Sequence, residues 1–158
     1  MGRHKKVVLE PTAEGIDYTL RAINGYPKMR QFCDEFEKCY PSLLQKGNIN
    51  AEAFNDMECL STDTFIMPDL APCDSGLINE YLEKREKVYL LEYGVKKLNT
   101  NIRPVAENLF IQRLTWEDVM KKHSISRMTV CRIRKAAINE IAYVVDSYMI
   151  WKVQKVFL

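Results

Sequence analysis

From Trp116 to Ile141 apolar residues recur at three- and four-residue steps on either side of one short interruption, which restricts this stretch to two helices joined by a tight turn. Thr115 stands where a hydroxyl can accept a backbone N–H of the first helix, and Glu117 and Asp118 suit its positive end. Trp116, Val119 and Met120 give that helix a side to bury. Lys121 and Lys122 close it with charge that suits the negative terminus. In the break "HSIS", Ile125 is the apolar plug and Ser126 caps the next helix. There Val130, Ile133, Ala137 and Ile141 form the buried side, leaving Arg127, Met128, Thr129, Arg132 and Lys135 available elsewhere.

Helix, tight turn and basic helix is the arrangement by which a second helix enters the major groove of double-stranded DNA. Arginine pairs bidentately with guanine, and the Thr129 methyl suits thymine while its hydroxyl suits phosphate. The residues expected to meet DNA are Thr115, Lys121, Lys122, Ser126, Arg127, Met128, Thr129, Arg132, Arg134 and Lys135. Met128 and Cys131 fit packing better than thymine contact, because both residue types usually serve in interiors. His123 has two readings, a phosphate contact or a turn histidine satisfied by backbone.

The pieces "LTWEDVM" and "ISRMTVCRIRKA" resemble the helix-turn-helix of sigma factor region 4. Met120 stands where a small Ala is usual, and Ser124 replaces the common turn glycine. With "YTLRAINGYPKMRQF" near the N-terminus, the chain resembles phage transcriptional regulators of the RinA and ArpU type. The resemblance covers roughly 45 residues and leaves the middle and the tail unmatched. It implies an N-terminal helical hairpin, a variable middle, a DNA-binding end and activation of phage late genes, with RNA polymerase as a second partner and the cytoplasm of a bacterial host as the location.

The remaining sequence fits an all-α chain. The 47% hydrophobic content suffices for a packed interior, and no stretch reaches the roughly 20 apolar residues of a bilayer crossing. The first ten residues also lack the apolar core of a secretory signal, so an intracellular protein with no membrane contact is expected. A mobile polar arm with Arg3, His4, Lys5 and Lys6 ends at Pro11. A short helix from Ile16 to Asn24 is expected to stop at Gly25, with Pro27 opening a second helix towards Tyr40. Residues 47–76 read as loop with one short helix near Ala51 to Leu60. A long central helix follows over Gly76 to Leu98, then another over Arg103 to Arg113. The expected division is an N-terminal region, 1–98, and a DNA-binding domain, 99–158.

Charge divides similarly. Residues 1–94 carry 11 Lys or Arg against 16 Asp or Glu, a net −5, and residues 95–158 carry 12 against 5, a net +7. A basic C-terminal part suits phosphate contact, a solvated basic surface being the alternative. The five cysteines lack CxxC pairing, so no metal site is expected and buried reduced thiols are. No glycine-rich phosphate loop or Ser/His/Asp set points to an enzyme or a cofactor. A DNA-packaging protein like a small terminase subunit is the alternative function, although such proteins usually place the DNA-binding element first. The apolar run "IAYVVDSYMIWKVQKVFL" is expected to fold back, through Tyr143, Val144, Tyr148, Ile150, Trp151 and Phe157, onto Tyr81 to Leu98. A homodimer contact is its other use.

Overall fold

The Thr12 hydroxyl accepts the Gly15 N–H, and with Glu14 in the first turn this starts α1 (Ala13–Cys39). The computed structural model describes residues 10–40 and 75–156, and every regular element among them is helical, as expected for an all-α chain. The expected stop at Gly25 is absent: α1 runs through Gly25 and Pro27 as one helix, so residues 16–40 form no hairpin. A proline inside a helix withdraws the N–H that would bond the carbonyl four residues back, here that of Ile23. Arg113 Nη1 donates to that carbonyl at 2.7 Å. Ile23, Tyr26, Cys33 and Phe36 are buried along one side of α1, and this tertiary burial overrides the local breaker.

The second helix, α2 (Ser75–Lys96), lies close to its expected bounds. Tyrosine–glutamate pairs join it to α1: Tyr18 donates to Glu86 at 2.9 Å, Tyr26 to Glu92 at 2.7 Å and Tyr81 to Glu37 at 3.2 Å. Burial, and then Glu86, push the Tyr18 hydroxyl well above its ordinary value, so it stays protonated and keeps the hydrogen that it donates to Glu86. Arg85, only 5% exposed, pairs with Glu37 and with the Tyr89 hydroxyl. Cys33 lies buried nearby, and burial pushes its thiol up to about 11. Cys39 and Cys131 are exposed, contrary to the expectation of buried thiols, since neither falls on the apolar face of its helix. Cys59 and Cys73 lie outside the described residues, as do Arg3, His4, Lys5 and Lys6 of the N-terminal arm and the helix expected near Ala51 to Leu60.

After a turn, α3 (Arg103–Ala106) passes into a π-helical turn, Glu107–Ile111, so the expected 103–113 helix takes two geometries. Two helices complete the chain, α4 (Trp116–His123) and α5 (Arg127–Val156). The first turns of α5 pack on α4, and its later turns lie along α1 and α2. Asp146 on α5 accepts the Thr12 N–H and hydroxyl, both at 2.7 Å. Tyr148 and Lys152 reach Glu86 at 3.2 and 2.7 Å. One hydrophobic cluster runs from Ala22 in α1 through Leu91 and Phe110 to Val119 and Ile141, across the boundary expected at residue 98.

The apolar tail therefore folds back in part. Val145 and Tyr148 are buried against Tyr89 and Leu90 with Trp151 beside them, whereas Tyr143 and Ile150 face outward because they fall on the opposite side of α5. Phe157 lies outside the described residues. Among the described residues no helix is long and apolar enough to cross a membrane, and no three His, Cys, Asp or Glu side chains group as metal ligands.

Candidate nucleic-acid interface

The Thr115 hydroxyl accepts the Asp118 N–H at 3.1 Å, as its sequence position implies, and fixes the start of α4. Carboxylates occupy the first turn of α4 and Lys121, Lys122 and His123 its last, so positive charge gathers where the chain turns. Ser124 ends the helix in the left-handed region, φ 52° and ψ 49°, the geometry for which glycine is usual. The backbone N–H groups of Ser124 and Ile125 both bond the Met120 carbonyl. Ile125 is half-buried against the core, as a plug between the helices should be.

The entry to α5 is capped by Ser126, whose Oγ accepts the Thr129 N–H at 3.2 Å and lies 2.9 Å from Thr129 Oγ1. Of the two hydroxyl protons one is used between them, so one stays free for an acceptor from outside. Val130 and Ala137 are fully buried. Met128, Arg132, Lys135 and Asn139 recur at steps of four, three and four, so they share one face, and all four are exposed. Met128 is 72% exposed, which overturns the packing expectation for it: it stands outward in the same row as Arg132 and Lys135. Cys131 lies exposed beside that row.

Arg127 and Arg134, seven residues apart, sit two turns from each other on the flank next to α4. The Arg127 guanidinium lies 5.4 Å from the centre of the Trp116 ring, and Arg134 lines a cleft with the same tryptophan. The arrangement thus separates two sets: Arg132, Lys135 and Met128 on the outward face, Arg127 and Arg134 along its edge. Thr115 begins α4 at the end away from Lys121 and Lys122, and its hydroxyl oxygen accepts the cap N–H.

Sequence reasoning missed the support beneath these helices. Asn108, buried in the π turn, donates to Gln112 at 2.6 Å, and its amide oxygen lies 2.7 Å from His123 Nε2. An amide oxygen only accepts, so His123 Nε2 carries the proton, and the ring is satisfied by a side chain rather than by backbone. The Asn108 carbonyl accepts the Leu114 N–H at 2.9 Å and holds the approach to α4. Between them Arg113, with φ 59°, turns back to the Ile23 carbonyl. Pro27 signals that the Ile23 carbonyl needs a donor, but nothing in the sequence names Arg113 as that donor, and Asn108 has no signal at all. The chain matches no protein-family model, no curated protein and no solved structure.

Proposed function

We propose that this chain is a sequence-specific DNA-binding transcriptional regulator of a phage or prophage, an activator of late genes that works in the cytoplasm of the host. The observation that carries the reading is the basic start of α5, its outward face together with the flank beside it. Its first 13 residues, 127–139, hold four Arg or Lys and no carboxylate, and they follow directly on a capped turn flanked by Lys121 and Lys122. In this reading α4, the turn and α5 form a helix-turn-helix. Arg127, Arg132 and Lys135 meet guanine edges and phosphates, Met128 meets a thymine methyl, and the spare hydroxyl proton of Ser126 or Thr129 binds phosphate. The acidic N-terminal part, net −5 over residues 1–94, supplies the protein contacts to RNA polymerase, and this step rests on the resemblance to phage regulators.

The test is selection of duplexes from a random pool by the purified chain, repeated at two salt concentrations. One enriched site that persists at the higher salt is the expected result. Binding without sequence preference that collapses with salt overturns it in favour of a phosphate clamp, such as a DNA-packaging protein would need. Arg127→Ala with Arg132→Ala is expected to remove specific binding with helical content unchanged, since each arginine–guanine pair contributes about 1–3 kcal/mol of discrimination. Retained specific binding at the same salt would move the reading surface elsewhere.

A further inference from the structure

Two of the larger clefts among the described residues contain carboxylates: Glu10 and Glu140 in one, and several acids including Glu83 and Glu86 in the other. A smaller cleft of about 300 Å³ lies between α1, the π turn and the start of α4, and no acidic residue lines it. Its polar lining is Asn24, Arg113 and Arg134, with Trp116 in the wall. Arg113 commits one guanidinium nitrogen to the Ile23 carbonyl. Arg134 is half-buried and has no hydrogen-bond or ion-pair partner among the described residues. A recessed guanidinium in an acid-free concavity, with the neutral donors of an asparagine and an indole beside it, suits a phosphate.

The position says which phosphate. Trp116 stands under Arg127, the first residue of α5, so the cleft lies along the edge of the outward α5 face rather than on the far side of the molecule. We propose that it seats one backbone phosphate of the duplex that α5 reads, with Arg134 as the charged contact and Asn24 bringing α1 to the DNA. This rests on the DNA-binding reading above. Such a contact fixes the register of α5 on the duplex and carries no base information. Free inorganic phosphate shares the chemistry, and the experiment separates the two sources.

The full chain is titrated onto its selected duplex and onto a scrambled one, between about 50 and 200 mM salt, where each phosphate contact contributes roughly 0.9 to the slope of log K against log salt. Arg134→Gln is expected to lower the slope by about that amount, with equal weakening on both duplexes, and Arg134→Lys to preserve it. Asn24→Asp, a change at an exposed position, is expected to weaken both duplexes by placing a carboxylate in the cleft. A wild-type slope for Arg134→Gln overturns the proposal, as does a weakening confined to one base position. Should Arg134→Gln lose its helical content, Asn24→Asp decides, and unchanged affinity there overturns the proposal. Inorganic phosphate that raises the wild-type melting temperature but not that of Arg134→Gln, with an unaltered DNA slope, reassigns the cleft to a free anion. Failure of the wild-type chain to bind any duplex strikes the DNA-binding reading itself, a result distinct from all of these.

Discussion

Ser124 shows how one residue sets the angle between two helices. Its left-handed backbone turns the chain out of α4 and into α5, and its own N–H and that of Ile125 both close on the Met120 carbonyl. For an L-residue that conformation costs roughly 1–2 kcal/mol, while glycine there loses about 0.4–1 kcal/mol to the greater freedom of the unfolded chain. Ser124→Gly is therefore expected to stabilise the protein by about 0.5–1 kcal/mol, read as a higher urea midpoint at constant slope. A lower midpoint would show that the serine hydroxyl holds the turn in a way glycine cannot. The departure from glycine is visible in the sequence, and so is its location, because turn and caps are local signals. Met128 is the opposite case: methionine suits an interior and a surface contact alike, and only its place on the wheel of a packed α5 decides between them.

At the scale of the element, α1 shows where local signals mislead. Gly25 and Pro27 are both helix breakers, yet the apolar steps Ile16, Leu20, Ile23, Tyr26, Met29, Cys33 and Phe36 continue through them in register. That continuity was legible. Its compensation was not, since Arg113 lies 90 residues away along the chain. If Arg113 replaces the donor that Pro27 lacks, the two positions are coupled. Arg113→Ala is expected to cost about 1.5–3 kcal/mol in the wild-type chain, the usual worth of a hydrogen bond from a charged donor. It should cost about 1 kcal/mol less in a Pro27→Ala background, where the substituted residue supplies a backbone N–H to the Ile23 carbonyl. Chemical denaturation of the four chains measures this. Equal costs in the two backgrounds would mean that Arg113 acts through its place in the acid-free cleft instead.

For the whole molecule, the sequence reads as two parts divided by charge sign, and the structure packs the last helix of the second part against both long helices of the first. α5 begins in the candidate DNA interface and ends against Tyr89 and Leu90 of α2, and Asp146 on it holds the start of α1. Charge patterning reports surfaces, and surfaces do not reveal which buried faces meet. A shared core has a thermodynamic signature: strain at one end should be felt at the other. Gly15 supplies the site for the test, because a Cβ there would collide with Asp146 Oδ1 and come within 3.0 Å of the Ala142 carbonyl. Gly15→Ala must push α1 from α5 or displace the Asp146 carboxylate from Thr12, and overpacking of this kind typically destabilises by about 1–3 kcal/mol. In a Trp151→Phe background Trp116 is the remaining tryptophan and reports on α4. The expected result is that Gly15→Ala lowers the unfolding midpoint seen by Trp116 fluorescence as much as that seen by far-ultraviolet circular dichroism. A Trp116 transition that stays in place while the dichroism midpoint falls would mean that residues 99–158 unfold as an independent unit, with α5 parting from α1 and α2 while its first turns hold.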